Sequence, residues 1–377
     1  MPLSTARRLF AACLVLALAG AGATLLATPS SRTLTGRWLA DFDKDGSVQL
    51  TLKRREGRHG DWTSSDDFRR SDFQGLTVPS GSSDVAARFT LQRDAGTVTF
   101  DGVVNDAGGS GRFTFEPSAE YLAALAKLGY AMPEDDEVFA LAVHDVSRAF
   151  LAELDGLGYH RVSLDDAVSM RIHGADPDFI RALQALGYKG LSTDDLVSMR
   201  IHGATPDYIR EMKSLGYDHL SADDLVSMRI HGATPQYIQE MKSLGYDHLS
   251  ADDLVSMRIH GATPEYVREM KSAGYDHLSA DDLVSMRIHG ATPEFAKAMK
   301  AAGYGDLSPD DLVSMRIHGV TPEFARGLRE IGFRDVSADD LVSMRIHGVS
   351  LEYARKMKAK YGDVSADDVV SMRIHGR

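Results

Sequence analysis

Between residues 117 and 376 the apolar positions fall into one recurring frame. In the stretch 204–232, Tyr208, Ile209, Met212 and Leu215 are spaced to share one helix face, and Leu225, Val226 and Met228 open a second after a short polar break. That spacing predicts two short amphipathic helices. Residues 33–116 show the other period. Val48, Leu50 and Leu52 alternate with polar residues, as do Phe89 with Leu91, Val98 with Phe100, and Phe113 with Phe115. Such alternation between turn residues (Asp45-Gly46, Asp94-Ala95-Gly96, Gly108-Gly109) predicts five or six antiparallel strands, curled or packed on the helices that follow. Residues 58–84, rich in Ser, Asp and Gly, show no alternation and are expected to form a long exposed excursion. Ahead of both lies a mostly apolar run, 9–27.

The helical frame is a repeat. Ser-Met-Arg-Ile-His-Gly occurs eight times, with its histidines 29 residues apart except for a last step of 28. Glu120-Tyr121-Leu122 and Leu128-Gly129-Tyr130 match Asp207-Tyr208-Ile209 and Leu215-Gly216-Tyr217, which adds a degenerate first copy. Units therefore start at 117, 146, 175, 204, 233, 262, 291, 320 and 349. A fixed period of this size marks a stacked array with worn capping copies. The predicted fold is α+β and multidomain: a small antiparallel β module (33–116) followed by an α-solenoid of nine two-helix repeats (117–376).

Each unit carries its own helix punctuation. Thr205-Pro206-Asp207 supplies an N-cap, a proline at the first helical position and an acid against the dipole. Gly216 is placed to end the first helix, with Tyr217 folding back over its last turn. Ser221 and Asp224 are spaced as a capping box, Leu220 and Leu225 as a hydrophobic staple, and Gly232 stops the second helix. The last unit is one residue short and has Lys360-Tyr361 where Leu215-Gly216-Tyr217 stands elsewhere, so its first helix is expected to lose the glycine stop and fray.

Composition narrows the function. A net charge of −12 argues against non-specific nucleic-acid binding, which needs a basic footprint. Arg7-Arg8 before the apolar run, with Ala-Gly-Ala triplets at 19–23 within it, reads as a secretory signal or, uncleaved, an N-terminal membrane anchor occupying residues 1–32 with a short linker. The paired arginines also resemble a twin-arginine export motif. The expected location is periplasmic or otherwise extracytoplasmic, with membrane contact only through residues 9–27. Cys13 is the single cysteine, so no intrachain disulfide forms. Metallopeptidase, Ser-x-x-Lys, Gly-x-Ser-x-Gly and phosphate-loop motifs are missing, so no catalytic or cofactor-binding residue is nominated.

Three sets of residues invite a chemical role. Asp41, Asp43, Asp45 and Gly46 match the first half of a calcium loop, but Leu52 stands where the bidentate Glu belongs; an Asp-rich hairpin turn explains the same residues. The recurrent histidines (His173, His202, His231, His260, His289, His318, His347 and His375) cannot share a metal if successive units lie about 10 Å apart. They stand at helix C-termini, where imidazoles meet terminal carbonyls. The recurrent arginines (Arg171, Arg200, Arg229, Arg258, Arg287, Arg316, Arg345 and Arg373) fall on the apolar side of the wheel. They are expected to be buried and to cross to a carboxylate or carbonyl of an adjacent unit, with a polyanion-binding ladder as the alternative. The second helix hardly varies and the first helix does. The expected partner face is therefore acidic and made of first-helix positions: Asp207, Glu211, Gln236, Glu240, Glu265, Glu269 and Glu294.

Two resemblances bear on this. Gly36-Arg37-Trp38 resembles the lipocalin opening signature, although the module is too short for an eight-stranded ligand barrel. Val320-Thr321-Pro322-Glu323-Phe324, Asp340-Leu341-Val342-Ser343-Met344-Arg345-Ile346-His347-Gly348-Val349 and the module segments Val48-Gln49-Leu50-Thr51-Leu52, Arg93-Asp94-Ala95-Gly96-Thr97 and Gly109-Ser110-Gly111-Arg112-Phe113 resemble extracytoplasmic tails of beta-lactam-antirepressor-type sensor metallopeptidases. The resemblance implies an exported relative of a sensor tail. The membrane-embedded peptidase, its zinc motif and the penicillin-sensing nucleophile are absent, so no functional residue carries over. The expected function is a non-enzymatic scaffold that binds another cell-envelope protein. The alternatives are a regulatory part of an envelope-stress or sensor-protease system, or a ligand carrier or enzyme using the β module.

Overall fold

The computed structural model describes residues 33–56 and 60–376; the expected signal or anchor lies outside them. Two compact units divide the chain. One runs to Gln92 and resumes over Gly96–Ser118; the other comprises Arg93–Ala95 and everything from Ala119.

The first unit is a single antiparallel sheet of seven strands: β1 (Leu34–Phe42), β2 (Ser47–Glu56), β3 (Gly60–Arg69), β4 (Phe73–Gln74), β5 (Val85–Arg93), β6 (Gly96–Val104) and β7 (Gly108–Pro117). Their order is β3-β2-β1-β7-β6-β5-β4. Strands expected from alternation are present, and two more lie in the supposed excursion 58–84. There β3 pairs with β2 from Ser47↔Arg69 to Glu56↔Gly60. An edge strand has one free side, so its inward positions can be polar, and Ser64 and Asp66 left no hydrophobic alternation to detect.

The sheet curls until its two ends meet. Phe68 of β3 and Phe73 of β4 stand 5.5 Å apart, ring to ring. Phe73 continues to Phe89 at 5.6 Å, and Trp38 packs edge-on against Phe89 at 5.3 Å and Phe100 at 6.0 Å. This aromatic floor is nearly dry: Trp38, Phe89, Phe100, Phe113 and Phe115 are buried. Trp38 fits only because strand glycines leave it room. A Cβ on Gly111 would lie 2.7 Å from Trp38 Nε1, and one on Gly109 would lie 2.9 Å from Trp38 Cη2. Gly108 and Gly109 are therefore strand residues and not the expected turn. The turn is Asn105–Ala107, where Asn105 Oδ1 accepts from the Ala107 and Gly108 amides at 3.0 and 3.1 Å.

The second unit holds eighteen helices among the described residues, two in each predicted repeat. In the repeat 204–232 they are Pro206–Ser214 and Ala222–Ile230. Thr205 Oγ1 accepts from the Tyr208 amide, and Ser221 and Asp224 exchange side-chain and backbone bonds at 3.0 and 2.9 Å. Both helices end in the same motif. Tyr217 N bonds Met212 O and Ala233 N bonds Met228 O, across Gly216 and Gly232 with φ of 90° and 71°. Glycine is needed at both because an L side chain is strained there.

First helices stack on first helices and second on second. The packed layer is Tyr208, Ile209, Met212, Leu225 and Met228, all buried, with Ala233 opening the next repeat. The degenerate first copy belongs to the same scheme. Tyr121 Oη donates to Val146 O as Tyr237 Oη donates to Ala262 O, each 25 residues on. In the last repeat the glycine stop is displaced and not lost: the helix Leu351–Tyr361 runs to Gly362, whose amide bonds Lys358 O at 3.0 Å.

Candidate functional site

The unvarying second helix is not wholly given over to stacking. Leu225 and Met228 are buried, but the next three residues, Arg229, Ile230 and His231, are exposed. Nine residues make about two and a half turns, and the last of them leaves these three side chains in solvent. The same holds along the array. Ile172, Ile201, Ile230, Ile259, Ile288, Ile317, Ile346 and Ile374 are each 51 to 55% exposed. A β-branched apolar residue held in solvent in eight of the nine repeats is not explained by stacking.

The arginines cross the seam as expected but are exposed or half-buried, not buried. Arg171 Nε donates to His144 O at 3.1 Å and its NH2 pairs with Asp145 at 2.9 Å. Arg200 reaches His173 O, Arg229 reaches His202 O and Arg287 reaches His260 O, all at a long 3.4 Å, while Arg345 reaches Gly319 O at 2.9 Å. Each guanidinium also lies over an aromatic ring of its own repeat's first helix: Arg229 over Tyr208 at 5.0 Å, Arg316 over Phe295 at 5.1 Å, Arg373 over Tyr353 at 5.0 Å. Arg258 keeps the ring contact with Tyr237, at 4.9 Å, without the hydrogen bond. A cation thus meets the negative end of the preceding second helix and the face of a ring, two attractions worth about 0.5–1 kcal/mol each at an exposed site.

The first-helix row has a counterpart that the sequence reading missed. Lys213, Lys242 and Lys271 donate to Leu186 O, Leu215 O and Leu244 O at 2.6 to 2.7 Å, the last carbonyls of the preceding first helices. Each sits over the tyrosine that follows that helix, Lys242 being 5.8 Å from Tyr217. The 29-residue recurrence of Lys213, Lys242, Lys271, Lys300, Arg329 and Lys358 was the available signal.

Every recurrent histidine is exposed. His289 and His375 place Nδ1 2.8 Å from the Ser285 and Ser371 carbonyls, the expected interaction with the helix end. Among the described residues no three His, Cys, Asp or Glu are placed to hold a metal ion together. Asp41 lies on β1, and Asp43 and Asp45 form a hairpin turn. Asp45 Oδ1 accepts the Ser47 amide at 2.9 Å and hydroxyl at 2.7 Å, bonds that hold its carboxyl below the usual range.

The acidic first-helix positions are at the surface, Glu240 half-buried. Asp207 pairs with Arg210, Glu265 with Arg268 at 3.2 Å, and Glu240 with Gln236 at 3.0 Å and Arg268 at 3.5 Å; among the described residues Glu211, Glu269 and Glu294 make no ion pair. Glu265 and Glu294 are held below the usual carboxyl range by their own backbone amides and then by the hydroxyls of Thr263 and Thr292. Burial pushes Tyr208, Tyr237 and Tyr266 up to about 12.

No helix among the described residues is long and apolar enough to cross a membrane. Compared with known proteins, the chain matches no family model and no curated sequence.

Proposed function

We propose that this is an exported, non-enzymatic scaffold of the bacterial cell envelope, and that its helical array binds another envelope protein. The observation that carries the proposal is the row of half-exposed isoleucines, one in each of the last eight repeats, each between an arginine and a histidine. A regular row of exposed apolar side chains offers a partner the same contact at each step, and here it lies on the part of the repeat that varies least. The acidic first-helix face is the competing surface. Several of its carboxylates are engaged in pairs along their own helix, which leaves them less to offer a partner. The resemblance to sensor-metallopeptidase tails supports the extracytoplasmic setting and suggests a regulatory partner.

Photo-crosslinkers at positions 230, 259 and 288, with a second set at 211, 240 and 269, decide between the faces in intact cells. Specific protein adducts from the first set support the isoleucine row and name the partner. Adducts from the second set alone transfer the role to the acidic face. Adducts from neither set overturn the scaffold reading.

A further inference from the structure

The outer face of the β unit carries a charge arrangement that its own fold does not resolve. Arg37 of β1 lies directly opposite Lys53 of β2 on one side and Arg112 of β7 on the other. Directly opposed side chains start about 4.5–5.5 Å apart, and like charges at that spacing are destabilising. All three side chains are exposed, and none makes an ion pair or hydrogen bond among the described residues. The row continues to Asp101, opposite Arg112, but that carboxylate is drawn toward Arg88, at 3.5 Å. Four cations therefore face one acid, in a chain whose overall charge is −12. Thr35, Thr63 and Thr114 line the same groove of about 900 Å³ and add hydroxyl donors around the cations.

We propose that this groove binds a phosphate group, with Arg37 at its centre and Lys53 and Arg112 on either side. A tetrahedral phosphate directs its oxygens out of one plane toward several neighbouring donors at once, whereas a carboxylate offers two coplanar oxygens. Arginine forks suit such a ligand, and lysine adds a point charge. The contrast with the array sharpens the assignment. Arg229 and Lys242 each have a carbonyl dipole and a ring; Arg37 and Arg112 have neither. Two sources of phosphate fit, a soluble phosphate or the headgroup of a phospholipid.

Full-length protein titrated calorimetrically with inorganic pyrophosphate, and separately with dihexanoyl phosphatidylglycerol below its micelle concentration, tests the proposal. The expected result is saturable, salt-sensitive binding of at least one probe, weakened about tenfold or more in Arg37→Ser and in Arg112→Gln, as loss of a charge-assisted hydrogen bond implies. Arg229→Ser, in the array, should bind as the parent does. Binding of pyrophosphate alone assigns a soluble phosphate, and tighter binding of the lipid probe assigns a headgroup. A second readout needs no ligand: relief of like-charge repulsion should raise the midpoint of the tryptophan-monitored unfolding of Arg37→Ser. Binding of neither probe, or binding unchanged in both sheet variants, overturns the proposal. Should Arg37→Ser misfold, Lys53→Gln replaces it with the same expectation.

Discussion

The two units solve the problem of holding a chain together at different ranges. In the array, the bonds that join one repeat to the next span 25 to 32 residues: Tyr237 to Ala262, Lys242 to Leu215, Tyr217 to Leu249. In the sheet, Trp38 of β1 depends on Asp101 O, 63 residues away, and on space left by Gly109 and Gly111. A defect in the array is therefore confined to one seam, whereas a defect in the sheet reaches every strand. Charge follows the same division. Array cations mostly meet carbonyls of the adjoining repeat, and the sheet leaves three of its own in register without partners among the described residues.

The most far-reaching effect should come from the sheet. Gly111→Val puts a side chain into Trp38 and the facing backbone, and overpacking of this kind costs about 1–3 kcal/mol or more. Both tryptophans belong to this unit, so fluorescence should lose its cooperative transition while helical circular dichroism at 222 nm persists. Simultaneous loss of both signals would show that the units unfold together. In the array, Met228→Ala empties a fully buried position and should cost about 2–5 kcal/mol, with hydrogen exchange accelerated in repeats flanking residue 228 and little changed beyond them. Acceleration throughout would contradict local cooperativity.

Alkaline titration probes the seams more gently. Tyr208, Tyr237 and Tyr266 ionise near 12 when folded and near 10 when unfolded, so their contribution is complete below pH 10 and is lost as pH rises toward 12. Replacing all three with Phe, which stands at the equivalent positions 295 and 324, should flatten that arm of the pH–stability curve. An unaltered arm would place the alkaline transition elsewhere. Arg229→Met should cost less than about 1 kcal/mol, because its guanidinium is exposed. A drop of several degrees in the melting curve would restore the buried arginine expected from the helical wheel. Smallest of all, deleting residues 233–261 in register should leave a soluble fold with nearly the parental midpoint, whereas deleting half as many residues should not.

The array was legible in the sequence because its signals act within a few residues. Thr205-Pro206, Ser221 with Asp224, Gly216 and Gly232 each specify a local geometry, and repetition multiplied every one of them. Arg229 was misplaced because a helical wheel assumes that a neighbour covers the whole length of the face. Here the stacked second helices are equally long, yet residues 229 to 231 face solvent and not a neighbour. In the sheet, β3 was missed because edge positions such as Ser64 and Asp66 tolerate polarity. Gly108 and Gly109 were misread because glycine signals a turn more often than the vacancy beneath a tryptophan. The cationic row was invisible for a different reason: Arg37, Lys53 and Arg112 are brought together only by strand register.

The matched seams make length a free variable. In the central repeats helix-end carbonyls on one side meet cations of the next repeat on the other, so these repeats join head to tail like similar links. Inserting or removing a whole link creates no new kind of junction and demands no compensating change elsewhere. A duplication in register is thus structurally silent except in reach. The array is then a modular chain, graduated by its Arg-Ile-His triplets, whose number of links is not dictated by the requirements of folding.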